Sequence, residues 1–299
     1  MVPEVLEALQ LGPGARVLDG TVGGGGHAEA ILKVTAPNGF LFGCDRDGAA
    51  IEATRKRLAP YAGRFELRQK NFAELSDWIE PGSLNGVVLD LGVSSAQLDW
   101  AERGFSFQSE GPLDMRMNTA EGTTAADLVN GLSEAELAEL FWKLGDEPAA
   151  RRIARAIVLE RQAQRIESTS QLVRVIERAA PRTGRKHPAT RVFLALRLAV
   201  NNELGSLERG LAAASTLLAR GGRMAVLTFH SVEDRLVKEF GRIKSRGYTV
   251  GGDVDLPEFR TAITPELKLV TRKARKPATA ELEQNPRARS AQLRAFEKL

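Results

Sequence analysis

Asp19-Gly20-Thr21-Val22-Gly23-Gly24-Gly25-Gly26-His27 is the stretch on which the reading of this chain turns. The apolar run Ala15-Arg16-Val17-Leu18 precedes it and reads as a short buried strand. Ala28-Glu29-Ala30-Ile31-Leu32-Lys33 follows and reads as the start of a helix. Strand, glycine turn and helix in that order form a ligand cradle. Glycine reaches backbone angles that other residues resist and lets a ligand approach the main chain. The helix start adds unpaired N–H groups and a partial positive charge. A glycine run by itself is often a plain tight turn; its place between strand and helix is what points to a nucleotide-type site.

Outward from the cradle, residues 3–11 read as a short helix that Gly12-Pro13-Gly14 stops. On the other side, Phe40-Leu41-Phe42-Gly43-Cys44-Asp45 is a second buried strand that ends in a carboxylate. Asp47 is placed to cap the next helix, which Pro60 closes. Phe65–Gln69 alternates like a third strand and leads into Asn71-Phe72, and Gly86–Gly92 is a fourth strand, closing on Asp90. Alternating strands and helices predict an α/β fold, a parallel sheet with helices on both faces. Ligands of such sheets lie beyond the carboxyl ends of the strands. Asp19, Asp45, Phe72 and Asp90 all fall at those ends. One strand-end Asp is as readily a turn cap; three in register beside a glycine loop are harder to dismiss.

The pattern changes after Trp100. Helices are expected over 124–130, 133–144, 148–163, 168–179 and about 188–203, with Ser133/Glu136 and Ser168/Gln171 as capping boxes. Pro181–Pro188 is a basic loop rich in helix breakers, and no strand is evident here. The sheet pattern then returns with a helix over 207–219 and a fifth strand over 223–230. A helix through Phe240 follows, with Ser231 as cap and Asp234 at the capping-box position. Strands are expected near 268–271 and 291–296. Residues 1–102 with 206–299 are thus read as one discontinuous sheet domain, and 103–205 as an inserted all-helical domain that recognises the substrate.

Composition narrows the classes. With 43% hydrophobic and 27% charged residues, the 299-residue chain is an ordinary globular one. No apolar stretch is long enough to span a bilayer, and the first residues lack the pattern of a signal peptide; a cytoplasmic protein without membrane partners is expected. The single cysteine, Cys44, excludes internal disulfides and multi-cysteine metal sites. His27, His187 and His230 are too dispersed for a sequence-local metal site, so no metal is expected. Net charge is +4, but Arg151–Arg197 carries +9 and Leu267–Leu299 carries +6, which leaves −11 for the rest. Such asymmetry suggests a polyanion partner, although solvated helix faces produce it as readily.

The glycine loop must be assigned to a ligand. A dinucleotide site has glycines at G-x-G-x-x-G, where the turn receives a pyrophosphate. Here Asp19 stands at the strand end before the glycines. A carboxylate there suits a ligand with a cationic ammonium end, and S-adenosylmethionine has that end, an adenosine and no phosphate. Asp45 is placed to accept both ribose hydroxyls, a feature shared with NAD sites. Phe72 could pack on the adenine, although an aromatic beside a strand is more often core.

The motifs resemble those of the bacterial 16S ribosomal RNA cytosine-N4 methyltransferases, the small-subunit methyltransferase H (MraW) family. They are Asp19-Gly20-Thr21 with Gly25-Gly26-His27, Leu89–Ser95 with Gln97-Leu98-Asp99, Glu102–Phe107, Gly111–Met117, His187–Arg191, Phe229–Arg235 and Asn285–Ser290. They run from the first strand to the last. This chain departs from the pattern at Gly24, commonly a larger residue, and in lacking the His-x-Pro segment that often precedes the first helix. The resemblance implies a Rossmann-like S-adenosylmethionine-dependent sheet. It implies methylation of the exocyclic N4 of a decoding-centre cytidine, usually numbered 1402, in 16S rRNA of the small ribosomal subunit or a late assembly precursor. A homodimer stays open. Carried over by motif, the cofactor contacts would be Gly25, Gly26, His27, Asp45, Phe72, Asp90 and Gln97, to which the carboxylate argument adds Asp19.

The N4 lone pair is delocalised into the ring, so alignment of nitrogen, methyl carbon and sulfur must supply much of the acceleration. A carboxylate accepting an N4–H bond would ease proton loss. Asp90 is the candidate for that role; a role toward the cofactor alone is the alternative. The target amine must be unpaired or turned out of its helix. Arg116, Arg185, Lys186, Arg191 and Arg197 are candidate phosphate contacts, along with the tail near Arg272–Lys276. The rival readings are a nicotinamide-dependent dehydrogenase, a non-catalytic RNA-binding protein and a DNA amino-methyltransferase.

Overall fold

A computed structural model describes residues 1–75, 77–180, 187–251 and 255–299. The chain divides into two compact units, Met1–Gly92 with Gly205–Leu299, and Val93–Leu204. The helical unit thus begins at Val93, ahead of the expected 103.

The first unit is built on a seven-stranded sheet. Its strands are β1 (Arg16–Asp19), β2 (Phe40–Asp45), β3 (Phe65–Gln69), β4 (Leu84–Asp90), β5 (Leu218–Thr228), β8 (Leu267–Leu269) and β9 (Gln292–Lys298), in the order β3-β2-β1-β4-β5-β9-β8. A small antiparallel pair, β6 (Tyr248–Val250) and β7 (Arg260–Ala262), stands outside it. Strands β1 to β5 pair in parallel, as expected for a Rossmann-like sheet. The departure is β9, which enters antiparallel between β5 and β8.

Alternation along the strands explains the two-faced core, because successive strand side chains point to opposite faces. Leu18, Phe42, Cys44, Leu89, Met224, Val226 and Phe296 bury one face together with Leu207, Leu211 and Ala214 of α10 (Glu203–Leu217) and Val237 of α11 (Ser231–Lys244). Val17, Leu41, Val88, Ala225, Leu227, Leu293 and Ala295 bury the other. They pack with Val5 and Leu9 of α1 (Val2–Leu9) and with Ala28, Ile31 and Leu32 of α2 (Gly26–Val34). The helix α3 (Gly48–Arg57) begins at Asp47, whose Oδ1 accepts the Ala49 N–H at 3.0 Å, as the sequence suggests. The expected helix over 207–219 instead starts at Glu203, and β5 starts at Leu218, ahead of the glycine pair. The first unit ends its helices with α12 (Thr279–Gln284).

The second unit contains α4 (Ser95–Asp99), α5 (Ala125–Gly131), α6 (Glu134–Gly145), α7 (Ala150–Ala163), α8 (Thr169–Ala179) and α9 (Ala189–Val200). Its described residues form no named strand. Ser133 with Glu136 and Ser168 with Gln171 close the expected capping boxes of α6 and α8. Leu113, Met115, Leu137, Phe141, Ile153, Ile157, Leu172, Ile176 and Leu196 form its separate core. Gly145 lets α6 approach α9: a Cβ there would stand 2.5 Å from the Arg191 carbonyl oxygen. Among the described residues, no helix is long and apolar enough to cross a membrane.

Candidate active site

Parallel pairing brings the ends of β1, β2 and β4 side by side, with Asp19 opposite Gly43 on β2 and Val88 on β4. The chain leaves β1 through a turn tied to its neighbour. Gly20 donates its N–H to the Val88 carbonyl at 2.9 Å. A Cβ at Gly20 would meet Leu89 Cδ2 at 2.6 Å and Phe72 Cβ at 3.0 Å, so the motif needs glycine there for space. Thr21 donates its N–H to Asp19 Oδ1 at 3.1 Å, and its Oγ1 accepts the Asp90 N–H at 2.6 Å. The turn is held from α3 by Thr54, whose hydroxyl donates to the Gly23 carbonyl at 2.9 Å, and by Arg57, which donates to the Gly24 carbonyl at 3.2 Å. Gly25 caps α2 with φ +79°, a left-handed backbone that favours glycine. At Gly24 and Gly26 a Cβ would meet nothing within 4 Å. The backbone therefore faces open space where the sequence places a ligand.

Three carboxylates and one imidazole surround this turn. Asp45 accepts the Gly23 N–H at 3.0 Å through Oδ2 and the Asp47 N–H at 2.9 Å through Oδ1, and the Arg46 backbone N–H also bonds this carboxylate. Asp19 is 1% exposed, and its Oδ2 is buried with no partner. Asp90 keeps 31% of its side-chain surface exposed, yet its Oδ1 is also buried and unpartnered. His27 Nδ1 lies 3.6 Å from Asp90 Oδ2, too long for a hydrogen bond, and His27 Nε2 is the third unpartnered buried atom. Burial disfavours charge on all of them. It pushes Asp19 up to about 7, with Asp90 and Asp45 adding repulsion, and Asp90 up to about 7. Asp45 is raised for the same first reason, and His27 is lowered to about 4. Buried polar atoms without partners are rare in folded proteins, and three of them converge here beside open glycine backbone. A cationic ligand that also donates hydrogen bonds fits this donor set; a pyrophosphate would face two carboxylates.

Phe72 lies beside this turn and packs against the core of the sheet unit. Gly210 of α10 makes room for its ring, since a Cβ there would stand 2.3 Å from Phe72 Cδ2. Two supporting residues escaped the sequence reading. One is Thr21, because its partner Asp90 is 69 positions away. The other is Glu233, 2% exposed, whose Oε2 accepts the N–H groups of Phe229 and His230 at 2.9 and 3.2 Å. This corrects the expected cap of α11. His230 is the N-cap and Glu233 the box residue, while Asp234 binds Arg294 at 2.8 and 2.9 Å. A cavity of about 440 Å³ lined by Gly12, Pro13, Gly14, Asn85 and Arg220–Arg223 lies at the amino ends of the strands, away from these aspartates.

The remaining candidates belong to the helical unit and divide sharply. Gln97 is buried and closes the α4 capping box: its Oε1 accepts the Ser94 N–H at 2.9 Å. Arg197 is corrected from a phosphate contact to a structural residue. It is 8% exposed, and its guanidinium makes a two-pronged bond to Glu203 at 2.8 and 3.0 Å. Arg116 is half-buried, with its fork on Asp114 at 2.9 and 2.8 Å. Arg191 is half-exposed and has no partner among the described residues. Arg185 and Lys186 lie outside the described residues. His187 is structural: Nδ1 accepts the Ala189 N–H at 3.1 Å, so Nε2 is the atom that donates to Glu177 at 3.0 Å. In the sheet unit's tail, Arg272, Lys273 and Lys276 are exposed, and Arg275 pairs with Glu7 at 2.8 Å.

A model of the MraW methylase family matches residues 1–299. A protein named ribosomal RNA small subunit methyltransferase H from Geobacter sulfurreducens is 51% identical over 305 residues, covering 100% of this chain and 97% of the relative. Its namesake from Geotalea uraniireducens is 49% identical over 305 residues, with the same coverage. Among solved structures, an rRNA methylase of Streptococcus thermophilus has a TM-score of 0.40 at 11% identity, covering 100% of this chain and 93% of that one. The motifs from Asp19 to Ser290 lie within one continuous match, and on that ground the chain belongs to the MraW methylase family.

Proposed function

We propose that the protein transfers a methyl group from S-adenosylmethionine to N4 of a decoding-centre cytidine, usually numbered 1402, in 16S rRNA of the small ribosomal subunit. The family supports rRNA methylation. The observation that carries the chemistry is the set of buried, unpartnered atoms, Asp19 Oδ2, Asp90 Oδ1 and His27 Nε2, around an open glycine turn. Bound S-adenosylmethionine supplies a methyl group already activated on a sulfonium. Asp19 takes the ammonium end, Asp45 the ribose hydroxyls, and Phe72 the adenine. The backbone of Gly25, Gly26 and His27 closes around the ligand. Gln97 enters by the family resemblance.

The work left to the protein is alignment and one proton. Holding the reactants in line contributes on the order of 7–11 kcal/mol. Asp90, ionised, accepts an N4–H hydrogen bond and draws the amine toward a tetrahedral nitrogen with a free lone pair. Its raised pKa, near 7, matches a group that must both hold and release a proton at neutral pH. The basic residues of the helical unit hold RNA phosphates.

The test is methylation of isolated small subunits with labelled cofactor, followed by mapping of the modified nucleotide. One labelled cytidine carrying the methyl on N4 is expected. Label elsewhere in the rRNA, or none with a cofactor-binding enzyme, overturns the assignment.

A further inference from the structure

We infer that the face of α7 formed by Arg151, Arg152 and Arg155 is a docking surface for the phosphate backbone of RNA; this rests on the rRNA reading above. Successive helix residues are rotated by about 100°. Ala150, Ile153, Ala154 and Ile157 point into the unit's core, while Arg151, Arg152, Arg155 and Leu159 are exposed on the opposite side. The three guanidinium groups thus share one solvent-facing arc of little more than a turn.

Their grouping without a carboxylate sets them apart: Arg174 on α8 and Arg191 on α9 also lack a partner among the described residues, but α7 carries three. Elsewhere in the unit, Arg116 binds Asp114, Arg165 binds Asp127, Arg178 binds Glu160, Lys143 binds Glu139, and Arg197 binds Glu203. Arg161 of the same helix donates to the Val129 carbonyl at 2.7 Å. Arg151, Arg152 and Arg155 have no partner among the described residues. The first turn of α7 holds no acidic residue. Glu147, just before it, is 5% exposed and accepts the Ala149 N–H at 2.8 Å. Three like charges at i, i+1 and i+4 repel one another. A fold that pairs five of the unit's other cations with carboxylates leaves these three adjacent and in solvent. A polyanion with regularly spaced single charges complements them, each guanidinium being able to fork onto one phosphate.

The experiment measures affinity of the full-length protein for unmethylated small ribosomal subunits across salt concentrations, with S-adenosylmethionine affinity in parallel. The variants are the triple R151Q/R152Q/R155Q and the triple R151K/R152K/R155K. Each phosphate contact contributes about 0.7 to 0.9 to the slope of log affinity against log salt. The glutamine triple is expected to lower that slope by about 2 and to weaken binding at least about tenfold at low salt. It should leave S-adenosylmethionine affinity unchanged, and the lysine triple should keep the slope. A glutamine triple with wild-type affinity and slope overturns the docking surface. So does a lysine triple that loses as much as the glutamine one, since charge would then not be the cause. If the wild-type protein neither binds nor methylates the subunits, the rRNA reading falls first and takes this surface with it; wild-type methylation with an indifferent α7 removes the surface alone.

Discussion

At the scale of single residues, the site is a contest between burial and charge. Asp90 is held by its own backbone: its N–H is fixed by Thr21 Oγ1, and its Oδ1 is buried without a partner. If Asp90 accepts the amine proton, D90N keeps the shape and removes the base. We expect turnover to fall on the order of 10²–10⁴-fold, the range for a positioned acid or base, with a much smaller change in cofactor affinity. The wild-type rate should rise with pH toward about 7, where Asp90 ionises, and that limb should vanish in D90N. Equal loss of rate and cofactor affinity, with the limb intact, would show a role toward the cofactor alone. Thr21 is a positioning residue. T21V leaves the Asp90 N–H without its acceptor, at a cost of about 1–3 kcal/mol, whereas T21S restores it. Turnover falling in T21V and returning in T21S, at constant KM for RNA, is the expected split. The three aspartates were legible because each ends an apolar run. Thr21 was not, because the strand that supplies its partner comes 69 positions later.

At the scale of elements, legibility followed locality. The capping boxes of α6 and α8 join residues three apart, and the sequence displays them. At the start of α11 the sequence suggests Ser231 with Asp234, and the structure instead pairs His230 with Glu233, one residue earlier, with Glu233 buried and Asp234 bound to Arg294. The direction of β9 is fixed by its pairing partners, β5 and β8, and an apolar alternation carries no arrow. Arg197 looked like a surface cation because its charge is visible in sequence, whereas its burial against Glu203 depends on the tertiary fold. A test at this scale concerns the glycine turn. In G25A a side chain is forced onto φ +79°, and its Cβ would meet Arg57 Cδ at 3.1 Å. A left-handed backbone costs about 1–2 kcal/mol, so calorimetry should show a lower unfolding temperature and at least about tenfold weaker cofactor binding. G24A, whose Cβ meets only open space, should unfold like the wild type. If the two variants melt alike, backbone strain is not what requires glycine at 25.

At the scale of the whole molecule, the same buried groups give the ligand-free protein an unusual pH profile. Asp19 and Asp90 have folded pKa values of about 7 against an ordinary 3.8, so the folded chain binds more protons than the unfolded one between those limits. Stability linked to them is full below about 4 and is lost as pH rises to about 7. His27 acts in the opposite sense. Lowered from 6.5 to about 4, it contributes stability that is full above 6.5 and is lost as pH falls toward 4. Between 4 and 6.5 two carboxyl groups therefore oppose one imidazole, and between 6.5 and 7 they act alone. Asp45, also raised, adds to their side. Surface carboxylates held low by hydrogen bonds, such as Asp127 beside the Thr124 hydroxyl, lose their contribution only in more acidic solution. The denaturant midpoint of the ligand-free protein should therefore fall from pH 5 to pH 7.5, where many proteins are flat. The double variant D19N/D90N should abolish that fall. A cationic ligand reverses the balance at Asp19, because its ammonium end binds that carboxylate in its ionised form. Stabilisation by S-adenosylmethionine should thus grow with pH over the same interval, and the gap between free and bound midpoints should be widest above pH 7. A wild-type midpoint that rises steadily from pH 5 to 7.5, or a slope untouched by D19N/D90N, would mean that the acidic strand ends are not the strained, ligand-seeking groups that the fold makes of them.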